Sequence, residues 1–305
     1  MFNIKLVSRL TGHRGAIYKI IQAMEPGSFI SGGGDGWVVN WCPSESSDGK
    51  LVAKDTDNIF TLLRYSDSHI LAGTLQGNLL SIDIATGLAR KIIHHKKGLY
   101  DLQIWNEEVI SLGGDGKLTF WNAEKLLPSD TLQVSSKSLR RMAIHQKKGV
   151  GAVACSDGTI YLIDLTNKGI IDKVKNVHQG AVFSVAFNEE GNILYSGGQD
   201  AILHVWDLDL KTAIVKIPAH RFTVNDMALH RDGQILATAS RDRSIKLWSV
   251  DHLELLKVID YHRYATHMHS VNSIIWSQDG RQLISGSDDR TICVLDIFDE
   301  GRVEE

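Results

Sequence analysis

The chain of 305 residues carries 33 Lys and Arg against 36 Asp and Glu, a formal charge of -3, and that balance weighs against a general nucleic-acid binder, which needs a basic excess or stripe. No apolar run approaches the roughly 18 residues of a membrane span, and 27 Gly with only 4 Pro suit tight turns between strands rather than a proline-rich spacer. Three widely spaced cysteines, Cys42, Cys155 and Cys293, read as small buried apolar groups in a reducing compartment, not as a disulfide framework or a thiolate metal site.

The opening residues, 1–7, lack the apolar stretch and small-residue cleavage site of a secretory signal, so the cytoplasm is the expected compartment. Beyond them, short hydrophobic strands end at Trp41, Ile82, Trp121, Ile163, Trp206, Trp248 and Leu295, at intervals of 41, 39, 42, 43, 42 and 47 residues. Such a period marks small sheets that cannot bury their own apolar faces and stack on their neighbours, here as a closed ring of seven blades.

The first unit runs from Gly12-His13 through Ser31 and Asp35 to Trp41. The second has strands at 59–63, 69–73 and 78–82, the third at 99–104, 109–112 and 117–121, and the fourth at 139–144, 150–154 and 159–163. In the second and fourth the apolar spacing survives while the polar markers fade. The fifth is the clearest: His178 opens it, strands follow at 182–187, 193–198 and 202–207, Asp200 marks a turn, and 213–217 supplies a fourth strand. The sixth repeats this at 224–229, 235–239 and 244–248, and the seventh at 271–276, 283–286 and 291–295, which leaves the seventh one strand short. Residues 4–10 have no blade of their own and are expected to become its outer strand, joining the chain ends and leaving no unpaired edge there. The repeat is uninterrupted by a linker, since Ser44 to Gly49 is too short to divide domains, and one domain over 1–305 is expected.

Gly12-His13, the strand end Val205-Trp206-Asp207, its variant Leu247-Trp248-Ser249 and the turn aspartates at constant distance before them resemble the WD40-repeat family. Ser249 departs from that family's terminal Asp. The resemblance implies an all-β, seven-bladed β-propeller of four-stranded antiparallel blades, closed by the N-terminal strand. It also implies that each opening His lies beside a strand Ser or Thr, the turn Asp and the terminal Trp. Complete sets are His13, Ser31, Asp35, Trp41; His95, Ser111, Asp115, Trp121; His178, Ser196, Asp200, Trp206; and His220, Thr238, Asp242, Trp248. His267, Ser285 and Asp289 form a partial set with Leu295 in place of the indole.

A Ser/His/Asp trio also describes a hydrolase, but recurrence of the same trio in several blades points to scaffold work, with each buried polar atom given a partner. His262, His267 and His269 lie in the longest connection, 251–270, where imidazoles suit a metal; without a second-shell pattern this is read as an ordinary loop, and no metal or cofactor is expected.

Aligning the units brings Tyr18, Phe60, Tyr100, Arg140, Phe183, Asn225 and Asn272 into register. The resemblance places this position at the mouth of the central channel, on the face bearing the turn aspartates. Aromatics and arginine are the residues enriched in protein-interface hot spots. The residues before the turn are expected on the same face: Gly34, Leu75, Gly114, Ser156, Gln199, Arg241 and Asp288. Leu75 extends the aromatic arc, whereas Arg241 and Asp288 add charge. The long final interval places Tyr261, Arg263 and Tyr264 on a connection expected to project as a binding loop. The resulting expectation is a noncatalytic scaffold, fit to serve within a larger complex, that recognises a peptide or protein surface at the mouth. The alternatives are a polar-ligand sensor, and a single-stranded nucleic-acid binder using Lys96-Lys97, Arg140-Arg141, Lys147-Lys148 and Arg241-Asp242-Arg243. No membrane contact is expected.

Overall fold

The computed structural model describes residues 2–299; Met1 and residues 300–305, which the expected domain includes, lie outside the described residues. Seven separate four-stranded antiparallel sheets fill it. In the first six, the strands follow one another in chain order, as in Ile17–Gln22, Phe29–Gly33, Trp37–Trp41 and Lys50–Lys54 for the first blade. Short turns and alternating burial make each blade a meander: both faces are apolar, so each must be covered by a neighbour. The first strand of every blade touches those of the blades on either side, including the first blade against the seventh, so the ring is closed.

The seventh sheet is ordered differently. Phe2–Thr11 pairs antiparallel with Thr291–Asp299, with Ile4 opposite Ile297 and Leu6 opposite Leu295, and forms the outer strand of Val271–Trp276, Gln282–Ser287 and Thr291–Asp299. Closure by the N-terminal strand is therefore as the sequence implied. The join is packed as well as hydrogen-bonded, because Ile4 and Leu10 are buried in two different inter-blade clusters.

The apolar cores lie between blades. Ile30 and Val38 of the first blade meet Ile59, Leu62 and Leu80 of the second, and Trp41 packs with Ile284 and Ile292 of the seventh. Glycine is required where blades approach most closely: a Cβ at Gly32 would fall 2.7 Å from Ile59 Cγ2, and one at Gly73 would fall 2.4 Å from Leu99 Cδ2.

Candidate functional site: the channel mouth

In each blade the first and second strands lose register at one place, between Ile17 and Lys19, Ile59 and Thr61, Leu99 and Asp101, Leu139 and Arg141, Val182 and Ser184, Val224 and Asp226, and Val271 and Ser273. The residue skipped is Tyr18, Phe60, Tyr100, Arg140, Phe183, Asn225 or Asn272. A β-bulge leaves its extra residue outside the ladder and re-aims its side chain. Repeated around the ring, the bulge delivers these seven side chains to one opening of about 160 Å³, with Arg141 also in its wall.

The lining is a chain of contacts. Tyr18 stacks on Phe60 with ring centres 4.6 Å apart, and Phe60 meets Tyr100 edge-on at 5.6 Å. The Arg140 guanidinium lies 4.6 Å from the Tyr100 ring centre and 5.4 Å from that of Phe183, while its Nε donates to Ser156 Oγ at 2.7 Å. Opposite, Asn225 donates to Ser270 Oγ and Val271 O, each at 2.9 Å. Asn272 donates to Asp288 Oδ1 at 2.7 Å and to Ile17 O at 3.0 Å. Burial, and then the charge of Asp288, raise the pKa of Tyr18. Bonds from Ser156 and Asp288 to mouth residues put the opening on the turn-aspartate face. On that face Leu75, Gln199, Arg241 and Asp288 are exposed, but Gly114 is not, because Tyr100 and Lys97 close over it.

One residue further along each inner strand lies a polar layer that the sequence reading missed. Asp101 Oδ2 accepts from Met142 N–H at 2.8 Å, Asp226 Oδ2 from Ile274 N–H at 3.0 Å, and Ser273 Oγ from Ile20 N–H at 3.1 Å, each across a blade boundary. Arg141 bridges Asp226 at 2.8 Å and Asp101 at 3.5 Å. Burial opposes its charge, but the two carboxylates outweigh it and raise the pKa of Arg141. Beside them, Lys19 is pushed down by burial and by Arg141. An acidic residue inside an otherwise apolar strand was the available signal. Arg141 is thus part of the scaffold and is not available to a nucleic acid; Lys148, another basic residue in that alternative, is tied to Gly191 O at 3.1 Å.

The His-centred sets form as implied at His13, His95 and His220. Trp121, for example, donates to Ser111 Oγ at 2.9 Å, that hydroxyl meets His95 Nε2 at 2.8 Å, and His95 Nδ1 meets Asp115 at 3.1 Å. The strand hydroxyl residues Ser31, Ser111, Ser196, Thr238 and Ser285 are wholly buried, so no trio presents an open nucleophile. The fifth set departs from expectation. His178 reaches Ser196 at 3.0 Å and Asp200 at 2.7 Å, but the Trp206 indole N–H is buried with no partner among the described residues. His204, whose ring centre lies 4.3 Å from that of His178, is buried with both nitrogens unpartnered, and burial lowers its pKa to about 4. Among the described residues His178, Asp200 and His204 form the one group with metal-ligand spacing; both nitrogens of His178 are already committed to Asp200 and Ser196. His267 is likewise bonded to Ser285 and Asp289, at 2.9 and 3.1 Å.

The final connection is more ordered than the sequence implied. Tyr261–Tyr264 forms one helical turn capped by Asp260, which accepts from Arg263 N–H at 2.9 Å. Arg9 clamps the turn from the closing strand, donating to the carbonyls of Ala265 and Thr266 and lying 5.9 Å from the Tyr261 ring centre. Tyr264 packs against the core between the sixth and seventh blades; Tyr261 and Arg263 remain exposed.

Three segments, 172–207, 211–249 and 260–296, match the family model for the WD domain, G-beta repeat. The chain is therefore a seven-bladed β-propeller that carries WD40 repeats. It is 29% identical over 103 residues to human WD repeat-containing protein 36, over 34% of this chain and 11% of that one. It is 22% identical to Autophagy-related protein 16 of Arabidopsis thaliana, over 66% and 40% of the respective chains. With human Striatin-4 it shares 28% identity, over 70% and 24%. The match thus spans well under half the length of each of these relatives. The crystal structure of the WD40 β-propeller domain of Doa1 superposes over the whole of both chains with a TM-score of 0.86 at 18% identity, a likeness of fold.

Proposed function

We propose that this protein is a noncatalytic interaction platform that recognises a segment of a partner protein at the channel mouth. The observation that carries the reading is the bulge repeated in all seven blades, which brings Tyr18, Phe60, Tyr100, Arg140 and Phe183 to one opening. Half-buried aromatics and a guanidinium held by stacking are rigid anchors that lose little entropy when a partner covers them. The opening of about 160 Å³ is smaller than the roughly 300 Å³ at the low end for enclosed small-molecule sites, which favours a surface contact over a sensor of small ligands. Its relatives contain such repeats as parts of longer chains, in keeping with a part in a larger assembly. The unpaired cysteines, with Cys155 and Cys293 buried, agree with a cytoplasmic setting.

The test is affinity isolation from native cells with wild type and a Tyr18→Ala/Tyr100→Ala/Phe183→Ala variant, folding being checked by thermal melting. Loss of a reproducible protein partner is expected. An unchanged set of partners on a folded variant overturns the reading.

A further inference from the structure

We infer that the turns of the sixth and seventh blades on the mouth face bind an acidic segment of the partner, an inference that rests on the platform reading above. Arg221, Arg241, Arg243 and Arg290 are exposed, and among the described residues their guanidinium groups make no hydrogen bond or ion pair. The first three arise from a single stitched corner. Arg241 N–H donates to Thr223 O and Ser240 Oγ to Phe222 O, each at 3.0 Å, and Arg221 N–H reaches Asp242 Oδ2 at 3.0 Å. The neighbouring carboxylates are already engaged: Asp242 with His220 at 3.0 Å and Ser244 Oγ at 2.6 Å, Asp288 with Asn272 at 2.7 Å, and Asp289 with His267 at 3.1 Å. Those bonds leave the three carboxylates charged, and four arginines against them give the arc a positive surplus of one on a chain whose total charge is -3.

The backbone shows that these charges are placed against local preference. Arg243 and Arg290 sit at φ 73° and 68°, in the turn position that the first four blades fill with Gly36, Gly77, Gly116 and Gly158 and the fifth with Ala201. A side chain there is disfavoured for an L-residue. Next to Arg221 in the chain, Phe222 is 59% exposed and offers an apolar contact. Carboxylates are the natural complement of unpaired guanidiniums. A protein segment fits better than single-stranded nucleic acid, which stacks successive bases on several open aromatic faces where this corner offers Phe222. At this mouth Tyr18 and Phe60 stack on each other, and Arg140 lies against Tyr100 and Phe183.

The probe is a short fluorescein-labelled peptide of Glu and Ala around a single Leu, compared by anisotropy with the same peptide carrying Gln for Glu. Wild type is expected to bind the Glu peptide in preference, less tightly as salt rises. The folded Arg221→Gln/Arg241→Gln/Arg243→Gln/Arg290→Gln variant is expected to bind it about tenfold more weakly, the size of several exposed charge pairs. Absent or equal binding of the two peptides, binding unaffected in the variant, or tighter binding of a single-stranded oligonucleotide overturns the inference. Such a failure, with partner capture still lost in the Tyr18/Tyr100/Phe183 variant, removes only the acidic chemistry. Unchanged capture by that variant removes the platform reading itself.

Discussion

His267 donates from Nδ1 to Asp289 across 3.1 Å, and its pKa is raised, whereas burial lowers those of His95, His178 and His220. Burial opposes the charge on His267 as well, but hydrogen bonds to Asp289 and Cys293 and the negative charge beside it outweigh that cost and push its pKa up to about 9. The sequence difference is Cys293, whose Sγ lies 3.9 Å from His267 Nδ1 and which has no counterpart beside the other three imidazoles. Leu295 supplies no indole donor, and Ser285 meets His267 Nε2 at 2.9 Å and Cys293 O at 3.4 Å.

That contrast sets the alkaline limb of stability. A folded-state pKa above the unfolded value of about 6.5 gives stabilisation that is complete below about pH 6.5 and is lost as pH rises through about 9. Urea unfolding across this interval is expected to show falling stability in wild type and a flatter profile in His267→Asn. Equal slopes for the two would mean that His267 is neutral when folded.

On the acid side His204 works in the opposite sense. Burial lowers its folded pKa to about 4, so below about pH 6.5 the unfolded chain takes up a proton that the folded one refuses. Stability is expected to fall between about pH 6.5 and 4, and His204→Leu to remove part of that slope. A melting series over this range decides it.

Trp121 and Trp206 occupy equivalent strand positions but differ in their indole bonds. Trp121 donates to Ser111 at 2.9 Å, whereas the Trp206 N–H is unpartnered. Trp121→Phe is expected to cost about 1 kcal/mol more than Trp206→Phe, the net worth of one buried hydrogen bond. Denaturant midpoints for the two variants measure the difference, and similar losses would refute the assignment.

Arg141 bridges Asp101 and Asp226 inside the ring, with Lys19 the second cation beside them. Arg141→Leu removes the cation that both buried carboxylates contact and is expected to destabilise by about 3–5 kcal/mol. Adding Asp226→Asn is expected to recover part of the loss, since the amide oxygen still accepts from Ile274 N–H and the side chain needs no counter-charge. A double variant no better than the single one would contradict this.

The ring was legible because its causes repeat. Apolar strands ending at Trp41, Trp121 and Trp248 fix the period, and the unpaired third strand of the last blade calls for residues 4–10. The register of the seven mouth residues was also legible, although the bulge that aims them was not, since it arises from pairing with the second strand. What escaped depends on contacts across blades. Asp101 and Asp226 acquire their role only beside Arg141. Arg9 meets the turn at Tyr261 only after closure. The failed Trp206 bond likewise follows from three-dimensional packing, which the spacing of the motif does not report.

The pairing of Phe2–Thr11 with Thr291–Asp299 also dictates an order of events during synthesis. Ile4 is synthesised well before Ile297, its partner across the join, so the six blades between them can assemble while Ile4 and Leu10 wait uncovered. Once Thr291–Asp299 is made, its open edge can take the same strand from a neighbouring copy until its own arrives, so this join is the place in the ring where a swap needs no other contact to break.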